Sequence, residues 1–261
     1  MLILIAGITG FVGIPCARSA FARGHKVRGL ARNIDNLPAD VRDRLEGFET
    51  MSDPHDIAAM DRATKGVDAI ICSFAAVPEM FMESQMMLIR AAERAGVKPI
   101  YMMTGAIAEY YFKRSPYDWD PVTKTFNFHG PSTFPTRYTT AEDIGNYVLE
   151  AITAPEAANG GFVHVQSFEA SPEDIVKAYN AARGGRVTAK LNCLGSLKDA
   201  EDKLNEGRAK YGKSEWYNYL RYSYQYHIPA RSWDYEPVDV ARFPNVKQTS
   251  LEEFFRRNPD V

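Results

Sequence analysis

Short apolar segments alternate with longer amphipathic stretches through the first hundred residues of the chain. The apolar segments have the length of buried strands, and the stretches between them place apolar residues at helical spacing. Alternating strands and helices predict a parallel sheet covered on both faces, which is an α/β fold of the doubly wound Rossmann type. The predicted strands are residues 2–6, 26–31, 48–51 and 67–72, and the predicted helices after the first are residues 54–65 and 78–95.

Directly after the first predicted strand, three glycines follow one another at G-x-x-G-x-x-G spacing. A chain that turns from strand into helix can present its backbone amides to a pyrophosphate only where no Cβ intervenes. Pro15 suits the first helical turn, since no backbone donor is needed there. The pattern predicts a dinucleotide-binding turn, and the alternative is a tight turn without a ligand. The predicted cofactor contacts in this turn are Gly7, Thr9, Gly10, Phe11, Val12 and Gly13.

The second predicted strand ends at Arg32 and Asn33, where a Rossmann domain distinguishes its two cofactors. An acidic residue at this place would bind the ribose hydroxyls of NAD, whereas a guanidinium matches a 2′-phosphate in charge and geometry. Both residues are therefore predicted to contact NADP(H). Asp35 is the nearest carboxylate and keeps NAD as an alternative, and a solvated cation is the alternative role for Arg32.

Ser73 and Phe74 follow the fourth predicted strand. Open α/β sheets bind their ligands at the carboxyl ends of the strands. We therefore predict that these two residues also contact the cofactor.

Composition narrows the class of protein further. The chain has 261 residues, 45% of them hydrophobic, and a net charge of −2, so it can bury a large core and offers no basic surface for nucleic acid. Its three cysteines and five histidines lack metal-ligand spacing, so no metal is predicted. We find no segment of membrane-spanning character and expect a cytoplasmic protein that acts on a small molecule; the sequence does not give its oligomeric state.

The motifs resemble the NmrA-like and isoflavone-reductase-like branch of the atypical short-chain dehydrogenase/reductases over nearly the whole chain. This resemblance implies NADP(H) binding and reduction or rearrangement of small, often aromatic molecules, although some members are redox-sensing regulators. Fungal members look most similar, many of them from secondary-metabolite pathways. The residues that carry the resemblance are the glycine turn with Arg32 and the segments 65–69, 90–98, 105–109, 120–125 and 138–145.

The resemblance also implies the domain organisation. Residues 1–153 would form the Rossmann domain, and residues 154–261 a smaller substrate lobe that shares one core with it. After Lys98 the chain departs from the family, since residues 99–105 resemble the sixth strand where the fifth is expected. Either a strand and the helix with the catalytic base are missing, or residues 100–104 fill the fifth position.

No Tyr-x-x-x-Lys pair is present, so the usual proton donor of the family cannot be assigned. Tyr110 and Lys113 lie three residues apart and would share a helical face, and His129 titrates near neutral pH; each also has a purely structural interpretation. The candidates for an aromatic substrate pocket are Tyr111, Tyr117, Trp119 and Phe128.

Together these features predict an NADP(H)-dependent oxidoreductase of secondary metabolism that acts on an aromatic or polyketide-like carbonyl or enone. Two alternatives remain on the same scaffold. One is a catalyst of a non-redox rearrangement or isomerisation, and the other is a regulator that senses the redox state of the dinucleotide. A catalyst requires an enclosed pocket with an acid or base, whereas a sensor requires an exposed apolar surface.

Overall fold

The computed structural model describes residues 1–74, 83–97, 99–114 and 118–261. Within this part the chain forms two compact units, each assembled from separate segments, which differ from the continuous ranges 1–153 and 154–261 expected from the sequence. The first unit comprises Met1–Met103, Ala141–Val163 and Ala241–Val246, and the second comprises Thr104–Thr140, His164–Val240 and Lys247–Val261.

A four-stranded parallel sheet organises the first unit. Its strands are β1 (Leu2–Ala6), β2 (Lys26–Ala31), β3 (Gly47–Thr50) and β4 (Ala69–Cys72), in the order β3-β2-β1-β4. Leu4 lies opposite Arg28 on one side and Ile70 on the other. Residues 3–6 are fully buried, as expected for a central parallel strand. The predicted Rossmann-type α/β fold is confirmed.

Helices cover both faces of this sheet. On one face Leu4, Ala6 and Leu30 pack with Met60 and Leu88. Ile3 and Ile5 point to the opposite face and are equally buried, and α1 packs against β1 and β2. Residues 78–82 of the predicted helix 78–95 lie outside the described residues. The helices of this unit are α1 (Gly13–Ala22), α2 (Ala39–Arg42), α3 (Ile57–Thr64), α4 (Gln85–Arg94) and α5 (Ala141–Thr153).

Gly145 allows α5 to lie directly against α1. A Cβ at this position would lie 2.9 Å from the carbonyl carbon and oxygen of Pro15 and 3.1 Å from the amide nitrogen of Cys16. All three are backbone atoms, so the clash cannot be relieved by a rotamer change, and the helices would have to move apart.

Gly145→Ala is therefore expected to lower the free energy of unfolding by about 1–3 kcal/mol, as measured by urea denaturation. A loss of stability would be opposite to the effect of helix propensity, because alanine is more favourable than glycine in an α-helix by about 1 kcal/mol when nothing obstructs its methyl group. An unchanged or increased stability would show that the two helices are not in close contact at this glycine.

Beyond β4 the structure departs from one of the alternatives drawn from the sequence. The strand β5 (Ile100–Met103) pairs with β10 (Gly161–His164) in a separate two-stranded sheet. The Tyr101 and Phe162 rings stack with their centroids 5.1 Å apart. The hypothesis that residues 100–104 fill the fifth position is wrong for the described strands, since β5 takes its partner from the segment after α5 and not from β4.

The second unit contains two small mixed sheets and an aromatic core. One sheet consists of β6 (Ala106–Ile107), β9 (Thr136–Thr139) and β11 (Phe168–Ala170), and the other of β7 (Trp119–Asp120), β8 (Thr125–Phe128) and β12 (Lys190–Cys193). A π-helical turn spans Tyr110–Arg114, and the helices are α6 (Pro172–Ala182), α7 (Leu197–Lys210), α8 (Leu220–His227) and α9 (Leu251–Arg257). The core is formed by Tyr111, Phe112, Trp119, Phe126, Tyr138, Tyr179, Phe254 and Phe255.

Within the described ranges, none of the helices combines the length and the apolar character required to cross a bilayer.

Candidate functional site

The glycine turn of the first unit is closed by backbone contacts that only glycine permits. Gly7 has a φ of +78°, and a Cβ there would lie 2.5 Å from the carbonyl oxygen of Ser73. A Cβ at Gly13 would lie 2.5 Å from the carbonyl oxygen of Gly7 and 2.7 Å from the Cα of Ile8. The Gly10 amide donates to the Gly7 carbonyl over 2.9 Å. The backbones of the strand, the turn and the helix therefore pack too closely for a side chain at Gly7 or Gly13.

This turn also presents backbone donors. Among the described residues, the amides of Thr9 and Val12 donate to no backbone carbonyl. The helix α1 begins directly afterwards at Gly13, and its first turn contains no acidic side chain. Because amide groups and the positive end of a helix dipole attract anions, the turn fits a pyrophosphate.

Ser73 lies beneath the turn, at the end of β4. Its hydroxyl donates to the carbonyl oxygens of Ala6, over 2.8 Å, and Gly7, over 3.2 Å. The neighbouring Phe74 packs against the core of the first unit. Ser73 therefore supports the predicted phosphate-binding turn from the adjacent strand.

Arg32 and Asn33 are exposed at the end of β2, and their side chains differ in the contacts that they form. The Asn33 side chain accepts a hydrogen bond from the Asp35 amide over 2.9 Å. Arg32 forms no ion pair with any residue in the described part of the chain, so its guanidinium is available to a phosphate. Arg28, by contrast, donates to two backbone carbonyls at the end of α3 over 2.9 and 2.7 Å.

A cavity within the second unit brings together several residues that the sequence left separate. It contains about 400 Å³ of empty space, which includes its opening to solvent. Phenylalanine and tyrosine contribute five of the fourteen lining residues, and a few polar groups converge on the cavity. The lining comprises Tyr111, Asp118, Phe126, Phe128, His129, Pro131, Phe134, Thr136, Tyr138, Ala170, Pro172, Gln225, Ile228 and Pro229.

The most polar group of this cavity is the Asp118 carboxyl, which is 7% exposed. The Tyr111 hydroxyl donates to its Oδ2, and the Gln225 amide nitrogen donates to its Oδ1 over 3.3 Å. Burial raises the pKa of Asp118 to about 6, although these two hydrogen bonds and the charge of Arg221 oppose the increase. Asp118 is therefore mostly ionised at neutral pH and protonated in mild acid.

His129 lies in the same wall and is 3% exposed. Neither of its ring nitrogens has a hydrogen-bond partner among the described protein atoms. Burial lowers its pKa, with a further contribution from the charge of Lys203, so the imidazole is neutral at physiological pH. A buried polar group without a partner is unusual in a folded protein and marks a place where a ligand can form the missing bond.

The remaining predicted site residues lie elsewhere or carry other contacts. The Lys113 ammonium pairs with the Asp260 carboxylate over 3.0 Å. Tyr110 is half-buried in the π-helical turn.

Trp119 is 2% exposed and packs against Tyr179 in the core, outside the described lining of the cavity. Tyr117 lies outside the described residues. A catalytic role for the pair Tyr110 and Lys113 stays a prediction.

Sequence reasoning missed Asp118 and Gln225. They are separated by 107 positions, and no local pattern indicates that α8 brings an amide to that carboxyl. A carboxylate between two aromatic residues could have been noticed as a candidate for burial. Within the described residues, no group of three or more His, Cys, Asp or Glu could hold a metal ion.

The fold and the glycine turn define a dinucleotide-binding protein of the Rossmann class. Residues 7–128 match the family model described as NAD(P)H-binding. The chain therefore contains an NAD(P)H-binding domain, and the predicted cofactor class is confirmed.

A bifunctional pinoresinol-lariciresinol reductase from Forsythia intermedia is 21% identical, with 98% of each protein covered. That alignment extends over 314 positions, whereas this chain has 261 residues, so part of the relative has no counterpart here. The shortening expected after Lys98 would produce such a difference, and its position stays a prediction.

Solved structures show the same fold. A leucoanthocyanidin reductase from Vitis vinifera in complex with NADPH has a TM-score of 0.72 at 14% identity, with 98% of this chain and 99% of that chain covered. An isoflavone reductase gives 0.68 at 16% identity, with 98% of both chains covered. NmrA, a negative transcriptional regulator, gives 0.69 at 16% identity, with 98% and 94% covered. The predicted resemblance to NmrA-like and isoflavone-reductase-like proteins is confirmed.

Proposed function

We propose that this protein is an NADP(H)-dependent oxidoreductase that reduces a small aromatic or polyketide-like carbonyl or enone in secondary metabolism. The observation that carries the proposal is the combination of the glycine turn with the exposed guanidinium of Arg32 at the end of β2. The similarity to plant reductases, one of which was solved with NADPH, supports the reaction class.

The residues of the first unit have distinct tasks in this proposal. The amides of Thr9 and Val12 and the start of α1 hold the pyrophosphate. Arg32 pairs with the 2′-phosphate, and Ser73 keeps the turn in place. When bound, the cofactor would supply the hydride for the reduction, which the chain's own side chains cannot do.

Arg32→Ala is expected to weaken NADPH binding about 10- to 100-fold, because a charge-assisted contact to a phosphate contributes about 1.5–3 kcal/mol. Binding of NADH, which lacks the 2′-phosphate, should change little. Calorimetric titration with NADPH, NADP⁺, NADH and NAD⁺ measures both effects. Arg42→Ala serves as the matched control, since Arg42 is also a surface arginine, paired with Asp43.

Equal loss of NADPH and NADH affinity in Arg32→Ala would contradict the role given to this guanidinium. Failure of the wild-type chain to bind any of the four dinucleotides would contradict the oxidoreductase proposal itself. Turnover is then tested by following NADPH oxidation with quinones and aryl enones as substrates.

The similarity to the regulator NmrA favours one second candidate, a sensor of the dinucleotide redox state. A sensor would bind the oxidised and reduced cofactors with different affinities and would not oxidise NADPH with any substrate. A non-redox isomerase would instead convert substrate without a change in NADPH absorbance. Analysis of the reaction products, together with the titration and the absorbance assay, therefore separates the three functions.

A further inference from the structure

The cavity of the second unit combines an aromatic wall with one buried carboxylate. Five aromatic side chains contribute to the wall, and Asp118 is the acidic residue in the described lining. The carboxylate has no salt-bridge partner among the described residues, and its hydrogen bonds come from the neutral groups of Tyr111 and Gln225. The five rings are those of Tyr111, Phe126, Phe128, Phe134 and Tyr138.

We propose that this cavity binds the protonated amino group of a small organic molecule, held by the Asp118 carboxylate, the aromatic rings and the His129 imidazole. The inference goes beyond the proposed reductase function and rests on this cavity alone. The ligand class is an aryl-alkyl or methylated amine whose ammonium group enters the cavity.

Charge favours a cation over an anion or a neutral molecule at this place. A buried carboxylate whose hydrogen bonds come from neutral donors attracts a positive charge even with the Arg221 cation nearby, because the surroundings screen it poorly. Aromatic faces carry negative electrostatic potential and add about 0.5–2 kcal/mol for a cation close to a ring. An anionic ligand would face repulsion from both components.

The buried imidazole fits the same ligand. His129 is neutral at physiological pH, so it does not repel a cation, and a neutral imidazole has one ring nitrogen that accepts a hydrogen bond. That nitrogen has no partner among the described protein atoms. An ammonium group carries enough N–H donors for both Asp118 and His129, which line the same cavity.

The direct test compares benzylamine with benzyl alcohol, which has nearly the same shape but no charge. Calorimetric titration of the full chain at about pH 7.5, without dinucleotide, should give an affinity for benzylamine at least about 10-fold higher. Asp118→Asn should remove this preference. Asp120→Asn changes a carboxylate two residues away that is outside the described lining of the cavity, and it should retain the preference.

A second variant keeps the test informative if Asp118→Asn does not fold. Phe128→Leu preserves an apolar side chain but removes one ring, and it should weaken benzylamine binding about 3- to 10-fold with little effect on benzyl alcohol. Circular dichroism checks that each variant is folded. The NADPH affinity of each variant, measured separately, should match that of the wild type.

Lower pH should weaken benzylamine binding as Asp118 becomes protonated, while benzyl alcohol binding stays constant. The groups that face Asp118 are Tyr111, Tyr138 and Gln225, with Arg221 as the nearby cation and His129 in the same wall. Equal affinity for the two probes, a preference unaffected by Asp118→Asn, or no binding of benzylamine would each overturn the proposal. None of these results depends on cofactor binding, so the reductase proposal is judged independently.

Discussion

Gly7→Ala is expected to lower the free energy of unfolding by about 3 kcal/mol or more and to abolish dinucleotide binding. Two costs combine at this position. The φ of +78° is unfavourable for alanine by about 1–2 kcal/mol, and its Cβ would lie 2.5 Å from the Ser73 carbonyl oxygen. Since that oxygen is part of the backbone at the end of β4, the turn and the strand would have to separate. Urea denaturation measures the stability, and calorimetric titration with NADPH measures binding.

Gly24→Ala measures the cost of the positive φ alone, without the steric clash. Gly24 has a φ of +76°, almost the same as that of Gly7, but no atom lies within 4 Å of a Cβ placed there. This variant should lose only about 1–2 kcal/mol and bind NADPH normally. If the two variants were equally stable, the close approach of Ser73 to Gly7 would not be a determinant of the fold.

The glycine turn could be predicted from the sequence because its cause is local. Gly7, Gly10 and Gly13 act within seven residues, and the clashes that exclude a Cβ involve the turn itself and one neighbouring strand. The parallel strands were predictable for a similar reason, since each is a short apolar segment followed by an amphipathic helix. The rule that ligands bind at the carboxyl ends of such strands singled out Ser73 as a cofactor contact, and that contact stays a prediction.

The cavity of the second unit was predictable only in part. Tyr111, Phe128 and His129 were singled out as candidates, but as separate ones, because nothing in their spacing shows that they share a wall. Trp119 was assigned to the same pocket because it is aromatic. In the structure its ring packs against Tyr179 in the core. Long-range contacts decide between a pocket wall and a core position, and sequence periodicity does not encode them.

The pairing of Lys113 shows the same limit for charged groups. Helical spacing placed this lysine beside Tyr110, but its ammonium pairs with Asp260, near the end of the chain. A carboxylate that is distant in sequence competes successfully for the cation once the fold brings it within 3.0 Å. Spacing along a helix therefore predicts which partners are possible and not which partner is chosen.

The free energy of unfolding of Asp118→Asn is expected to increase relative to that of the wild type as the pH rises from about 4 to about 7. In the wild type, the folded-state pKa of Asp118 is about 6, whereas the ordinary value is 3.8. The folded chain thus retains this proton to higher pH than the unfolded chain does, and its stability falls through that interval. A difference of about two pKa units corresponds to about 3 kcal/mol, all of it lost above about pH 6.

The asparagine variant has no proton to lose at this position, so the difference in unfolding free energy between variant and wild type should grow by about 3 kcal/mol over the interval. Urea denaturation at several pH values measures this growth, and other titrating groups cancel in the difference. Asp120→Asn should not show the same trend, because hydrogen bonds from Thr123 and Val122 lower the pKa of Asp120 instead of raising it. A difference that stays constant with pH would mean that burial does not raise the pKa of Asp118, and the poorly screened carboxylate on which amine recognition rests would then be absent.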